Sequence, residues 1–214
     1  NTVDLAGRIV APGFIDPHVH IESAMIGVGE FARTVAPHGV TTVIADPHEI
    51  ANVLGTQGLR YMLACAERQP IQIYYTLSSC VPATAMETAG ACLTAADLEP
   101  FMDHDRFLGL AEMMNFPGVI QADAAVLQKI ALARSAGKPV DGHCPGLSGK
   151  ALNAYLAAGI ASDHECTTAD EAHEKLAGGM YIMVREGTAA KNLEDLFEVI
   201  TPRTYRRMMW CTDD

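Results

Sequence analysis

Two histidines one residue apart, His18 and His20, are the first feature of this sequence that could do chemistry. On a strand, residues i and i+2 point to the same side. Both imidazoles can then grip one cation, at roughly 2.0–2.1 Å for a zinc-like ion. Alone, a His-x-His pair is weak, because a single histidine is more often a satisfied polar residue. It gains weight from His143, His164 and Asp213, which close apolar runs elsewhere in the same way. Two cations need a bridging anion, and Glu112 is the expected one. It ends the apolar run Phe107-Leu-Gly-Leu-Ala111, where an unpaired buried carboxylate would be costly and metal coordination would remove the cost. The alternative for Glu112 is a salt bridge to Arg106. Asp213 is expected to ligate and to shuttle a proton beside a metal-bound hydroxide. Asp214 would point the opposite way on a strand and reads equally well as a C-terminal turn. The expected ligand set is His18, His20, Glu112, His143, His164 and Asp213, with Asp213, Glu112 and His164 also serving the chemistry. Glu22, His48, Glu49, Asn115 and Arg185 form a second rank near strand ends. They could bind substrate or orient ligands, or be ordinary polar loop residues. His38, His104 and His173 read as structural or solvated.

Such residues must be carried by elements that bring them together. Short apolar, partly β-branched runs recur eight times, at 13–20, 41–46, 72–78, 107–112, 139–143, 160–164, 180–185 and 207–212. They suit strands buried on both faces. Helical stretches follow most of them, at 29–36, 56–69, 94–102, 123–136, 149–158, 168–177 and 191–200. Thr94 is a plausible N-cap; Gly137 and Gly159 sit where helices should stop. Strand–helix alternation means parallel crossovers, and eight repeats in this length point to an α/β fold of the (β/α)8 TIM-like barrel type. An open doubly wound sheet is the runner-up, weakened because no G-x-G-x-x-G follows the first strand. In a barrel the C-terminal ends of the strands form the active face, and the chemistry-bearing residues cluster there. The eighth strand ends at the last residues, so the closing helix is expected to be missing. Residues 1–12 look like a strand leaving another β-structure, joined at Ala11-Pro12-Gly13.

Of the 214 residues, 49% are apolar and 19% charged, an ordinary globular composition. The net charge of −11 would repel phosphate backbones, which argues against nucleic acid as a partner. No run of about 18 apolar residues suggests a membrane span. The six cysteines, Cys65, Cys80, Cys92, Cys144, Cys166 and Cys211, include no C-x-x-C pair, so a reducing cytoplasm fits. The start at Asn1, without a Met or a signal peptide, and the stop at Asp213-Asp214 suggest a piece of a longer protein.

The segment Pro12-Gly-Phe-Ile-Asp-Pro-His-Val-His20 resembles the opening of the amidohydrolase superfamily. That resemblance implies a metallo-hydrolase barrel over 13–214, incomplete at its C-terminus, with 1–12 as the remnant of an N-terminal β-sandwich. Longer strings narrow it: His18-Val-His-Ile-Glu-Ser23, Asp46-Pro-His-Glu-Ile-Ala-Asn52, Asp141-Gly-His-Cys-Pro-Gly146, Ala161-Ser-Asp-His-Glu165 and Cys211-Thr-Asp-Asp214. Together these are similar to the adenine deaminase branch of bacteria. Many superfamily members bridge their metals with a modified lysine on the fourth strand; here, as in that branch, the strand offers Glu112. The resemblance implies hydrolysis of adenine to hypoxanthine and ammonia, by a hydroxide activated by two divalent ions, manganese or iron(II). Asp213 would take the proton and pass it to the leaving amine, and Glu22 or His48 would protonate the ring. It also implies a homo-oligomer in the full-length protein and a further β-rich domain after the barrel. A dihydroorotase-like cyclic-amide hydrolase and a non-catalytic metal-binding barrel are the alternatives.

Overall fold

The computed structural model describes residues 2–214, and strand and helix alternate through it. The strands are β1 (Phe14–Val19), β2 (Val40–Ala45), β3 (Gln72–Leu77), β4 (Phe107–Met113), β5 (Val140–Gly142), β6 (Ser162–Asp163), β7 (Tyr181–Arg185) and β8 (Met208–Cys211). The helices are α1 (Val28–Val35), α2 (His48–Leu54), α3 (Thr56–Cys65), α4 (Ala95–Met102), α5 (Phe116–Ile120), α6 (Ala124–Ser135), α7 (Gly149–Ala157), α8 (Ala169–Ala177) and α9 (Leu193–Leu196). Each of the eight expected strands is present, within two residues at either end. Along β3 the burial alternates as a pleat requires. In β3, Ile73, Tyr75 and Leu77 are fully buried toward the helices, and one continuous apolar core fills the layer between strands and helices.

All neighbouring strands pair in parallel, as β1-β2-β3-β4-β5 and β6-β7-β8. Two bridges span the gaps. Val140 pairs with Ile160 beside β5, and Val19 pairs with Asp213 just after β8. At the second seam Thr212 donates its hydroxyl to Asp16 at 2.6 Å, Asp213 N–H donates to His18 C=O at 3.0 Å, and His20 N–H donates to Asp213 C=O at 3.2 Å. The sheet is therefore curled so that β8 lies beside β1. Between the strands, at the end away from the strand C-termini, remains an apolar cavity of about 320 Å³ lined by Ile44, Leu108, Leu110, Met183 and Met209.

Four segments differ from expectation. Helix α2 begins directly after β2 and α5 directly after β4; neither had been expected. The single helix expected over 191–200 is a short α9 followed by a 3-10 turn at Phe197–Val199. Residues 2–12 form no strand and are exposed, since a strand needs a partner to pair with; Asn1 lies outside the described residues. None of the described helices is long and apolar enough to cross a membrane.

Cap chemistry follows the sequence. Thr94 and Asp97 form a reciprocal capping box on α4, Thr168 caps α8, and Asp123 accepts from Ala125 and Val126 N–H at 2.8 and 3.1 Å on α6. Asp123 touches nothing in the functional site described below. In the intact protein Asp123→Ala is expected to cost about 1 kcal/mol. Urea unfolding should show this as a lower midpoint at unchanged slope; an unchanged midpoint would contradict the cap.

Candidate active site

At the C-terminal rim of the strands, side chains far apart in sequence meet. His18 and His20 come from the end of β1, Glu112 from β4, His143 from just after β5, His164 from just after β6 and Asp213 from just after β8. His18, His20, Glu112, His164 and Asp213 are buried. Glu112 stands at the centre. Its Oε1 is 3.2 Å from His20 Nε2, and its Oε2 is 2.5 Å from His143 Nδ1 and 3.2 Å from His164 Nε2. The alternative partner, Arg106, instead donates to the carbonyl of Ile73.

Hydrogen bonds to the far sides of the rings fix which nitrogens face inward. His18 Nδ1 donates to Asp141 Oδ2 at 3.0 Å, and His20 Nδ1 donates to the Asp46 carbonyl at 3.0 Å. The Nε2 atoms are left with lone pairs, yet they lie 3.2 Å apart, and Asp213 Oδ1 is 3.4 and 3.2 Å from them. Three electron-pair donors that close repel one another unless a cation sits between them. Ligand atoms about 2.1 Å from a tetrahedral ion stand about 3.4 Å apart, so the spacing fits. His164 adds a second sign. It is 1% exposed, and neither of its ring nitrogens is in hydrogen-bonding geometry with a partner, although Nε2 lies 3.2 Å from Glu112 Oε2, a costly state unless something else binds them. It stacks on His18 at 3.9 Å between centroids. Donor atoms of His18, His164 and Asp213 lie within 4.8 Å of one another, as do those of Glu112, His143 and His164 and those of His20, Asp46, His48 and Glu112, so the rim offers overlapping groups that could hold a metal ion.

Charge pairing dominates the electrostatics. Burial opposes the charged forms of His18, His20, Glu112, His143 and Asp213, but the partners override it. Asp141 and Asp213 push His18 up to about 10. His143, His164 and His20 hold Glu112 well below the usual carboxylate range, and His18 and His20 lower Asp213. Metal binding requires the ligating ring nitrogens to be free of protons.

The second rank of residues divides. His48 opens α2, its Nδ1 is 2.8 Å from Asp46 Oδ2, and burial loses to Asp46 in raising it to about 9. Arg185 is buried, with Nη1 on Asp213 Oδ2 at 3.1 Å and on Glu165, and Nε on Asn192 at 3.1 Å. Glu22 accepts from Ile50 N–H at 3.4 Å while its Oε2, like Glu49 Oε2, is buried without a partner. Burial, then the charge of Glu49, raises Glu22 to about 7. Asn115 lies apart, capping α5 through Gly118 N–H at 3.0 Å. Asp214 is exposed and bonds Ser23. His38, His104 and His173 are exposed and outside the site. A cleft of about 350 Å³ opens onto His20, His48, Glu112, His143, Arg185 and Asp213. Asp46, Asp141 and Glu165, at strand ends but not among the expected ligands or substrate-binding residues, also join the rim. Each adjoins a quoted histidine or its strand end, the usual place for a carboxylate that orients an imidazole.

Residues 9–205 match the Amidohydrolase family, and the chain belongs to it. Its similarity to particular relatives is higher still. It is 61% identical over 213 residues to an adenine deaminase of Desulfatibacillum aliphaticivorans, covering 100% of this chain and 37% of that protein. It is 55% identical to adenine deaminase 2 of Carboxydothermus hydrogenoformans and 53% identical to an adenine deaminase of Clostridium acetobutylicum, covering 100% and 99% of this chain. The chain spans about 37% of the length of these curated relatives. In fold alone it is similar to a fructose-1,6-biphosphate aldolase of Coccidioides immitis, at TM-score 0.50 and 10% identity, covering 94% of this chain and 76% of that one.

If this donor cluster binds metal, removing the metal should destabilise the intact protein by about 3–4 kcal/mol when free metal stands 100–1,000-fold above Kd. Thermal unfolding with and without a chelator reads this directly. A midpoint indifferent to the chelator would contradict the fit.

Proposed function

We propose that the protein containing this chain hydrolyses adenine to hypoxanthine and ammonia, with two divalent cations, manganese or iron(II), held by His18, His20, Glu112, His143, His164 and Asp213. One observation carries the metal reading: Glu112 divides its two oxygens between His20 on one side and His143 and His164 on the other. The substrate is drawn from the similarity to relatives named adenine deaminase. Mixed nitrogen and oxygen donors suit both ions. When bound, such ions lower the pKa of water toward neutrality and polarise the group under attack.

The chain's own residues supply the rest. Arg185 ties down one oxygen of Asp213 and leaves Oδ1 facing His18 and His20. From there Asp213 accepts a proton from the attacking water and delivers it to the departing amine, so that the C6–N bond breaks as the C6–O bond is kept. His48, held by Asp46, and Glu22, with an oxygen free of partners, are positioned to hold the polar edge of the purine and protonate its ring. Asp141 and the Asp46 carbonyl fix the rings of His18 and His20.

We read residues 13–214 as contributing eight strands to a (β/α)8 barrel, and residues 1–12 as part of a small β-sandwich domain. The bridges at both seams support the barrel. We read the intact protein as a cytoplasmic homo-oligomer acting on a small molecule, not on nucleic acid or a membrane. The six free cysteines and the charge of −11 support the compartment and the exclusion of nucleic acid.

Ammonia release from adenine by the intact protein tests the proposal. Asp213→Asn should lower kcat by about 10²–10⁴-fold, and Glu112→Gln should abolish turnover through loss of metal. Near-normal rates in either variant would refute that residue's role. Turnover of dihydroorotate with none of adenine would refute the substrate.

A further inference from the structure

A second polar cluster lies outside the cleft, behind the histidines that follow β5 and β6. Lys175 of α8 is fully buried. Its Nζ donates to Asp163 Oδ2 at 2.9 Å, to Glu171 Oε1 at 2.6 Å and to the carbonyl of Cys144 at 2.8 Å. All three ammonium protons thus have acceptors. Asp163, also fully buried, accepts from Cys144 N–H at 2.9 Å through Oδ1 and from Glu165 N–H at 3.1 Å through Oδ2.

The pleat explains why Asp163 points this way. Ser162 turns inward to bond Asp141 at 2.6 Å, so Asp163 turns outward to the helix layer and His164 inward again. Cys144 and Glu165 are the residues directly after His143 and His164. One carboxylate therefore grips the peptide that follows each histidine, and the lysine that neutralises it grips Cys144 from the carbonyl side. A buried ion pair is weak evidence for stability, because desolvation offsets the attraction, and apolar residues of equal volume often do as well. Apolar residues could not hold two N–H groups and a carbonyl at fixed separation.

We propose that Lys175 and Asp163 are positioning residues. They set the spacing of His143 and His164 and thereby the affinity of the cation position formed with Glu112. The inference rests on the metal reading above. Its test is a Mn²⁺ titration of the metal-free intact protein, followed by equilibrium dialysis and electron paramagnetic resonance. Wild type should take up two ions per chain and give a spin-coupled spectrum. Lys175→Met should weaken one of the two ions by about 10–100-fold and leave the spectrum of an isolated ion. If that variant does not fold, Lys175→Met combined with Asp163→Asn removes both charges and should show the same selective loss. Leu176→Ala, in the same helix and packed against the core, should lower thermal stability yet keep both ions. Two ions at wild-type affinity in a folded Lys175 variant, or an equal loss in Leu176→Ala, would overturn the positioning role alone. No Mn²⁺ uptake by wild type would overturn the metal reading and this inference together.

Discussion

A carboxylate taken out of water must find positive charge, and Glu112 sits 3% exposed on a strand with no lysine or arginine against it. What surrounds it is imidazole, which can supply charge as a proton or as a bound cation. The lone pairs of His18, His20 and Asp213 converge at 3.2–3.4 Å, and His164 is buried with both ring nitrogens unbonded. Such a cluster is unfavourable empty and favourable loaded. The rest of the molecule can be understood as the scaffold that forces these groups into that state.

The forcing is done by strand geometry. The two-residue period aims His18 and His20 together from β1. The Val19–Asp213 bridge brings the end of β8 against β1. Asp213 then leaves the strand with φ +61°, in the left-handed region, which carries its carboxylate back over His18 and His20. Around this ring of donors stands a layer of carboxylates, Asp46, Asp141 and Asp163, each one residue away from, or bonded to, a histidine of the rim. On the proposed reading, the inner layer binds metal and the outer layer fixes ring orientation and backbone position.

Much of this could be read from the chain. Each strand was legible because a run buried on both faces is apolar and short. The cap at Thr94 was legible because its side chain satisfies a helix N–H group locally. Helices α2 and α5 were not, since α2 follows Pro47, which offers no capping side chain, and α2 and α5 are only 7 and 5 residues long. The six residues expected at the site do meet. Asn115 does not join them, because its side chain serves a local cap. The orienting residues were hidden for another reason: His18 and Asp141 are 123 positions apart. Lys175 looks like any surface lysine in the helix Ala-Asp-Glu-Ala-His-Glu-Lys-Leu-Ala. Only the fold reveals that it points inward.

The most direct measurement is anomalous X-ray diffraction from crystals of the intact protein prepared with manganese. The account predicts two anomalous peaks at the strand rim, on opposite sides of the Glu112 carboxylate, with His18, His20 and Asp213 around one and His143 and His164 around the other. A rim without peaks, with those histidines bonded only to carboxylates, would contradict it.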